Sequence, residues 1–389
     1  MALHARELAI VDAVRTGIGR GHPEKGQYRG VHANELLGTC YRALLDRNEV
    51  EADQIEDVVA GCVSQYGEQS INVARNAWLQ AGLPEEVPAM TVDRQCGSGQ
   101  QALNIAVAMI ASGVNDVMVA GGVEHMGHVP FSFESRWNEE VGEPWPEALR
   151  SYHDVIPQGN SAELIAERWG VSREEMDELS LRSHRLAHQA WKDGRFNREV
   201  VPVSTPDGET RADQGIRPET SMEKLAALKP AFKEGGTVTA GNSSQISDGA
   251  AAILLVEAET AKRLGLQPLA VIVDQVAVGV DPVTMLTGPT PATRKLLDRN
   301  GLALDEISRI EVNEAFASVL AMWQHDFEVE LDNVNVQGGA IALGHPLGCS
   351  GARLITTLAH QLAGSGGDLG MAVMCCRGGL GTGTLIRGA

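Results

Sequence analysis

The sequence is poor in basic residues and in aromatic residues. Its 389 residues include 32 Lys and Arg against 51 Asp and Glu, which gives a formal net charge of −19. Because no run of Lys and Arg forms a basic face, we do not expect the chain to bind nucleic acid or a membrane surface. Aromatic residues make up only 4% of the chain, which is few for a protein that stacks bases on aromatic rings.

Other missing patterns exclude further classes of protein. No apolar run approaches the roughly 18 residues of a membrane span, and the first residues lack the apolar core of a signal peptide. The six cysteines form no CxxC pair and no zinc spacing with histidine. No GxGxxG follows the first predicted strand, so a dinucleotide fold is not expected. We therefore predict a cytoplasmic protein with reduced thiols and without a bound metal.

The most informative pattern that is present is an internal repeat. ALLDRNEVEADQIEDVVAG at residues 43–61 resembles KLLDRNGLALDEISRIEVN at residues 295–313. Both segments read as a helix end, a turn and a buried strand. The apolar runs Ala89–Asp93 and Val334–Gln337 extend the repeat, and a Gly-rich loop and an amphipathic helix follow each of them.

The repeat predicts the fold and its division. Each half reads as β-α-β-α-β with short apolar strands, which indicates an α/β fold with sheets covered by helices. The N-terminal half would span residues 1–267 and the C-terminal half residues 268–389. A polar segment at about 124–248 interrupts the first half, and we interpret it as an inserted loop domain with helices at Ser161–Trp169 and Arg173–Asp193.

Three residues in loops of the repeat are candidates for chemistry. Cys96 precedes an amphipathic helix, whose N-terminus favours a thiolate, and Gly97 and Gly99 would let a substrate approach the backbone. His345 lies in the Gly-rich segment GGAIALGHPLGCSGAR and is a candidate base. Cys375 opens a second Gly-rich turn. The alternative interpretation, a buried structural cysteine or a packed histidine, stays open for each residue on this pattern alone.

Several motifs together resemble the thiolase family along the whole chain. They are CGSG around Cys96, NEAF at residues 313–316, the His345 segment and the Cys375 turn, with GGVEHMG at 121–127 resembling the degradative 3-ketoacyl-CoA branch. The resemblance implies a duplicated five-layer α-β-α-β-α fold with a loop domain. It also implies an acyltransferase that cleaves 3-ketoacyl-CoA with coenzyme A and needs no cofactor, coenzyme A being a substrate.

The resemblance implies a role for each matched residue. Cys96 would be the nucleophile, His345 its base, and Cys375 the acid and base of the second half-reaction. Asn313 would fix a water beside His345 at one oxyanion site. The backbone N–H groups of Cys96 and Arg377 would form a second oxyanion site.

Further implications concern substrate contacts and assembly. Arg217, Ala240 and Ser244 match positions that bind coenzyme A, and the family implies a homodimer or homotetramer with possible association with a β-oxidation multienzyme subunit. Many thiolases have Gly in place of Arg377, and the family's His-Met pair over the acyl pocket is Pro157-Gln158 here, which leaves the acyl specificity open.

Three other functions remain alternatives. A biosynthetic acetoacetyl-CoA thiolase would run the same chemistry in the condensing direction. A decarboxylating ketosynthase-type enzyme shares the fold but lacks the second cysteine, so Cys375 argues against it. A binding protein without catalysis is expected to lose Cys96 or His345, and both are present.

Overall fold

Strands and helices follow each other in two series of the same order. The computed structural model describes residues 6–131, 142 and 145–389. In this part the strands are β1 (Leu8–Thr16), β2 (Gly19–Arg20), β3 (Asp57–Gly61), β4 (Ala89–Val92), β5 (Val117–His125), β6 (Val200–Val201), β7 (Val203–Thr205), β8 (Gly208–Thr210), β9 (Ser247–Glu257), β10 (Ala270–Gly279), β11 (Ile307–Val312), β12 (Leu369–Cys376) and β13 (Leu380–Gly388). The α-helices are α1 (Ala33–Asn48), α2 (Val73–Gln80), α3 (Ser98–Ala111), α4 (Glu147–Tyr152), α5 (Gln158–Trp169), α6 (Arg173–Lys192), α7 (Met222–Ala226), α8 (Ala258–Arg263), α9 (Pro289–Asn300), α10 (Ala317–Phe327), α11 (Ala340–Leu343) and α12 (Leu347–Leu362).

The element order confirms the predicted duplication. The series β1, α1, β3, α2, α3, β5, β9 is matched by β10, α9, β11, α10, α12, β12, β13, and β4 has no counterpart among the described strands of the second half. Between β5 and β9 lies the insertion, which contains α4 to α7 and β6 to β8. Its two longest helices, α5 and α6, are the two that the sequence predicts there.

One continuous sheet joins the two halves. Its strand order is β11-β12-β13-β10-β1-β9-β5-β3-β4. Parallel pairs at each end give way to antiparallel pairs with β9 and β13. The halves meet where β1 pairs antiparallel with β10 through Ala9–Val271 and Ile10–Ala270. Each parallel connection needs a crossover, and α2, α3, α10 and α12 lie in those connections.

Three apolar clusters divide the molecule into five layers. Helices α1 and α2 cover the outer face of the first half, and α9 and α10 cover the outer face of the second half together with residues of α5 and α6. Between them, α3 and α12 share one cluster with strand residues of both halves. When the part of the sheet in each half is counted as one layer, the order helix, sheet, helix, sheet, helix confirms the five-layer fold.

The LLDRN segment of each half joins its helix to its first strand. Asp12 lies at a bulge of β1, where it accepts a hydrogen bond from Asn48 at 3.1 Å and pairs with Arg47 at 3.2 Å. The second half repeats these contacts at a bulge of β10 through Asp274, Asn300 and Arg299. The repeated LLDRN segment therefore forms the same contacts in both halves.

The second half departs from the repeat at Val334–Gln337, where the sequence predicts a strand. Instead of a strand, the segment forms isolated parallel bridges from Val334 to Ile310 and from Val336 to Gly338, because Asn335 has a φ of 47°. Its side chain replaces the missing ladder, since Oδ1 accepts from the N–H of Val312 at 2.8 Å and Nδ2 donates to the Val312 carbonyl at 2.9 Å. A side-chain amide thus satisfies backbone groups that a strand would have satisfied.

Glycines allow the two central helices to touch backbone to backbone. A Cβ on Gly99 of α3 would lie 2.7 Å from the Ala352 nitrogen, and one on Gly351 of α12 would lie 2.3 Å from the Gln100 nitrogen. A Cβ on Gly97 would lie 2.6 Å from Cys376 Sγ. Gly99 therefore serves the packing of α3 on α12, and Gly97 lies close against β12. The expectation that these two glycines admit a substrate stays a prediction.

Within the described residues, no helix combines the length and the apolar character that crossing a membrane requires.

Replacing Gly351 by Ala tests the contact of the central helices. We expect Gly351→Ala to lower the free energy of unfolding by about 1–3 kcal/mol through overpacking, although Ala is intrinsically the better helix former. Gly279→Ala is the matched control, because nothing lies within 4 Å of its Cβ position. Denaturant unfolding measures both variants, and equal stability of the two would contradict the expected contact.

Candidate active site

Cys96 lies in a tight turn between β4 and α3. Asp93 accepts a hydrogen bond from the N–H of Gln95 at 2.6 Å, and Ser98 Oγ donates to the Gln95 carbonyl at 2.6 Å. Gln95 has a φ of 51°, a conformation that costs free energy in any residue with a side chain. The turn is thus held by its own side chains in the geometry that presents the next residue, Cys96.

The Cys96 thiol is buried and surrounded by hydrogen-bond donors. Burial raises its pKa, and hydrogen bonds from the backbone N–H of Arg377, from the side chain of Gln158 and from its own backbone partly offset that effect. The expectation that the N-terminus of α3 would lower the pKa of Cys96 is therefore wrong for the free protein. In the resting state the sulfur carries its proton.

Cys375 and Arg377 come from the hairpin between β12 and β13. Burial and the neighbouring Cys96 raise the pKa of Cys375 well above its ordinary value. Arg377 has no positive φ, whereas Gly378 and Gly379, which follow it, have φ values of 84° and 79°. An arginine at this position therefore leaves the turn and its N–H donor intact.

His345 and Asn313 meet on the C-terminal half. Asn313 Nδ2 lies 3.4 Å from His345 Nε2. His345 Nδ1 lies 2.6 Å from Ser350 Oγ, which donates its own proton to the Pro346 carbonyl at 2.8 Å. Ser350 Oγ therefore accepts from Nδ1–H, and Nε2 keeps the lone pair that a base needs.

Burial and the nearby Arg353 guanidinium lower the pKa of His345 to about 3. The imidazole is accordingly neutral across the physiological range of pH. His345 therefore rests as a neutral imidazole and Cys96 as a protonated thiol, which are the protonation states of a base and of a nucleophile before attack.

A buried carboxylate, Glu124, connects the loops of the two halves. Its oxygens accept from the N–H groups of Val63 and Ser64, both at 3.0 Å, and from the N–H of Gly348 at 2.9 Å. Gly348 lies at the start of α12, three positions after His345. Glu124 therefore fixes the His345 loop against the half that carries Cys96.

The residues matched to coenzyme A line a separate cavity of about 450 Å³. Arg217 and Ala240 belong to its wall, together with Lys224 and Gln245. Ser244 is not among the wall residues of the described part, although both its neighbours Ser243 and Gln245 are; its N–H donates to the Ala315 carbonyl at 3.0 Å. Arg217 and Lys224 supply the local positive charge that an anionic ligand needs on this acidic protein.

A second cavity of about 600 Å³ opens beside Arg377. Its wall is mainly apolar, with Phe131, Trp145, Leu149, Val155, Met285 and Leu380 among the side chains. The Arg377 guanidinium lies 4.9 Å from the centre of the Trp145 ring and 5.5 Å from that of Phe131. The cavity is suited to an apolar group attached near Cys96.

The sequence indicated the candidate reactive side chains but not the residues that hold them. Glu124 and Ser350 lie inside the segments GGVEHMG and GGAIALGHPLGCSGAR, but a sequence does not show that they are buried, because carboxylates and hydroxyls are usually exposed. Gln158 was noted only as a departure from the family pattern. Cys349, whose pKa burial raises to about 12, and Cys376 lie in the central apolar cluster, where they pack against the other buried side chains.

The pH dependence of alkylation tests the resting state of the Cys96 thiol. Since the pKa of Cys96 is raised and His345 is neutral, we expect its rate of reaction with iodoacetamide to rise through pH 9 without an inflection between about pH 5 and 8. Peptide mass spectrometry gives the rate at Cys96, with Cys349 as an unreactive internal control. A plateau below pH 7 would indicate a thiolate–imidazolium pair and contradict this description.

Comparison with known proteins identifies the family. The models of the thiolase N-terminal domain and the thiolase C-terminal domain match residues 8–259 and 266–388. A steroid 3-ketoacyl-CoA thiolase of Mycobacterium tuberculosis is 46% identical over 98% of this chain and 94% of the relative. A 3-ketoacyl-CoA thiolase of Marinobacter nauticus is 44% identical over 98% of both chains.

Solved structures agree with the sequence comparison. The acetyl-CoA acetyltransferase of Bacillus anthracis superposes with a TM-score of 0.90 at 37% identity, covering 99% of this chain and 100% of the other. The dimeric peroxisomal thiolase of Saccharomyces cerevisiae gives a TM-score of 0.90 at 34% identity, covering 99% and 98%. The chain belongs to the thiolase family.

Proposed function

We propose that this chain cleaves a 3-ketoacyl-CoA with coenzyme A, which gives acetyl-CoA and a shortened acyl-CoA. The observation that carries the proposal is the pair of neighbouring buried cysteines, Cys96 and Cys375, together with a neutral His345 whose Nε2 has the lone pair that a base needs. The names of the curated relatives support the same reaction.

The first half-reaction forms an acyl-enzyme. The Cys96 S–H bond breaks, its proton moves to His345 Nε2, and the sulfur attacks the keto carbon of the substrate. The backbone N–H groups of Cys96 and Arg377 would hold the oxygen that becomes negative at one site. His345 Nε2–H and a water held by Asn313 would hold an oxygen at the other. Donors of this kind contribute roughly 3–4 kcal/mol each in comparable sites.

Cys375 completes the first step and begins the second. Cleavage of the C–C bond leaves a carbanion on acetyl-CoA, and Cys375, whose raised pKa keeps it protonated, donates the proton. The resulting Cys375 thiolate removes the proton of an incoming coenzyme A. That sulfur attacks the thioester, Cys96 leaves as a thiolate, and His345 returns its proton. Because the acyl transfer involves no net oxidation, the proposed reaction needs no cofactor.

The coenzyme would occupy the cavity of about 450 Å³ that Arg217, Lys224 and Ala240 line. Arg217 and Lys224 are exposed cations suited to phosphate groups. Ser244 would contribute from the segment beside the wall. The acyl group would occupy the apolar cavity beside Arg377, whose volume of about 600 Å³ exceeds the need of an acetyl group.

Assembly and location complete the proposal. Strand β4 is the last strand of the sheet, and its side chains Met90 and Val92 are only partly buried, which suits pairing with a second copy of the chain. The dimeric yeast relative supports a homo-oligomer. All six cysteines are free thiols, which suits a reducing cytoplasm. Association with a β-oxidation multienzyme subunit stays a prediction.

Replacing Cys375 by Ser separates the two cysteines. We expect Cys375→Ser to lower 3-ketoacyl-CoA cleavage by about 10²–10⁴-fold, the usual contribution of a positioned acid. It should still form a Cys96 adduct with a simple acyl-CoA, because coenzyme A leaves as a stable thiolate without an acid. Intact-protein mass spectrometry and a cleavage assay measure both.

Cys96→Ser is expected to lose both cleavage and the adduct. Cys40→Ala is the matched control, because Cys40 is equally buried but lies in the outer layer of the first half. Cleavage of 3-ketoacyl-CoA by Cys375→Ser at the wild-type rate would contradict the role that we propose for Cys375.

A substrate panel distinguishes the degradative enzyme from an acetoacetyl-CoA thiolase. Each buried methylene contributes about 0.8 kcal/mol, so we expect kcat/KM to be at least about tenfold higher for bulky 3-ketoacyl-CoA than for acetoacetyl-CoA. Val155→Trp, which narrows the apolar cavity, should reduce cleavage of the bulky substrate selectively. Turnover of acetoacetyl-CoA alone would instead identify the acetoacetyl-CoA enzyme.

A further inference from the structure

A second group of polar side chains lies outside the candidate active site, where the end of β5 meets the loop after β3. His125 is the last residue of β5, His128 lies in the turn that follows, and Glu68 lies in the loop. One nitrogen of each imidazole and one carboxylate oxygen of Glu68 lie within 4.8 Å of one another. The side chain of His125 is buried, whereas those of Glu68 and His128 are 20% and 25% exposed. An ion can therefore reach these three atoms from solvent.

Backbone carbonyl groups determine which nitrogen of each ring carries the proton. His125 Nε2 lies 3.1 Å from the carbonyl oxygen of Tyr28, and His128 Nε2 lies 2.9 Å from that of Arg29. Because a carbonyl oxygen only accepts, both Nε2 atoms carry a proton, and the lone pair of each neutral imidazole is on Nδ1. A histidine that binds a metal is usually oriented in this way, by a hydrogen bond from its other ring nitrogen.

Both Nδ1 atoms face carboxylates. His128 Nδ1 lies 3.2 Å and 3.3 Å from the two oxygens of Glu68, and His125 Nδ1 lies 3.4 Å from Asp248 Oδ1. Since a lone pair and a carboxylate oxygen both accept, either a proton or a metal ion must lie between the members of each pair. His125 Nδ1 also accepts from the N–H of His128 at 3.2 Å, but that N–H has a second acceptor, the His125 carbonyl, at 3.3 Å.

The stacking of the two rings disfavours a proton on both Nδ1 atoms. The ring centres are 3.8 Å apart and the ring planes are inclined by 17°. Two imidazolium ions in this contact would repel each other, whereas one divalent cation can bind both lone pairs once the partly exposed ring of His128 tilts out of the stack. Ligand atoms of a tetrahedral zinc ion lie about 3.3 Å apart, since the bonds are about 2.0–2.1 Å long. The two nitrogen–carboxylate pairs already have this separation.

We propose that Glu68, His125 and His128 bind a divalent transition-metal ion such as Zn²⁺. Asp248 supplies the fourth ligand, because its side chain is only 1% exposed and its Oδ2 has no hydrogen-bond partner within the described residues. Imidazole nitrogens favour Zn²⁺ over Mg²⁺ and Ca²⁺, which prefer oxygen ligands. The sequence predicts a protein without a bound metal because its cysteines show no zinc spacing, and this group of ligands contains no cysteine.

The ion has a structural role, since none of its ligands takes part in the proposed reaction. Gln69 follows Glu68 and joins the loop to β5. Its Nε2 donates to Glu124 at 3.0 Å, and its Oε1 accepts from the N–H of His125 at 2.6 Å. Glu124 in turn holds the start of α12 beside His345. A bound ion therefore steadies the loop on which the position of Glu124 depends.

Metal titration of the full chain tests the site without any substrate. We expect the metal-free protein to bind one Zn²⁺ per chain, and Co²⁺ in its place to give the visible absorption of a tetrahedral complex. His128→Ala and Glu68→Gln should each weaken Zn²⁺ binding by at least about tenfold, since the loss of even an outer partner has an effect of that size. Zn²⁺ should raise the Tm of the wild type, because it binds the folded chain, and both variants should lose this rise.

His32→Asn is the matched control. His32 Nε2 lies 3.9 Å from Glu68 Oε2, but its Nδ1 accepts from the N–H of Asn34 at 3.1 Å, so it lies outside the group of ligands, and Asn preserves the N-cap of α1. This variant should bind Zn²⁺ as the wild type does. Circular dichroism establishes that each variant is folded. A wild type that binds no Zn²⁺ or Co²⁺, or an equal loss of binding in His32→Asn, would overturn the proposal and leave a simple ion pair of His128 with Glu68.

Discussion

The contact between α3 and α12 is the constraint on which the rest of the structure depends. Each helix begins at a reactive loop, with Cys96 before α3 and His345 before α12. Because Gly99 and Gly351 let the two backbones approach, the helix N-termini lie side by side in the middle layer. Glu124 then holds the start of α12 by the N–H of Gly348. The chemistry of the site thus follows from the packing of two repeated helices.

Burial governs the electrostatics of this arrangement. The middle layer is apolar, so it raises the pKa values of both thiols and lowers that of His345. All three groups are therefore neutral at rest. The charges of the proposed reaction appear only during turnover, when hydrogen-bond donors that are already held in place stabilise them. A resting thiolate–imidazolium pair would require more polar surroundings that stabilise both charges.

The sequence was sufficient for the architecture, because a duplicated fold leaves patterns that repeat, and it indicated candidate reactive side chains whose roles stay predictions. The LLDRN segments predicted equivalent halves, and the structure shows that they form the same contacts to Asp12 and Asp274. It was insufficient where one side chain replaces backbone, as Asn335 does, because a strand and its substitute read alike. It also predicted the wrong direction for the pKa of Cys96, since the helix N-terminus is visible in a sequence and the depth of burial is not.

The meeting of β1 and β10 has a consequence for how the sheet can be extended. By joining the halves edge to edge, it leaves the sheet with two ends, at β11 and β4. At the β11 end, the Val334 bridge and the Asn335 amide already occupy backbone groups, so that end is blocked. The pairing through β4 that we propose would be self-limiting, because a two-fold axis would consume the open end of both copies. With the other end blocked, such pairing would stop at two copies and would not grow into a fibre.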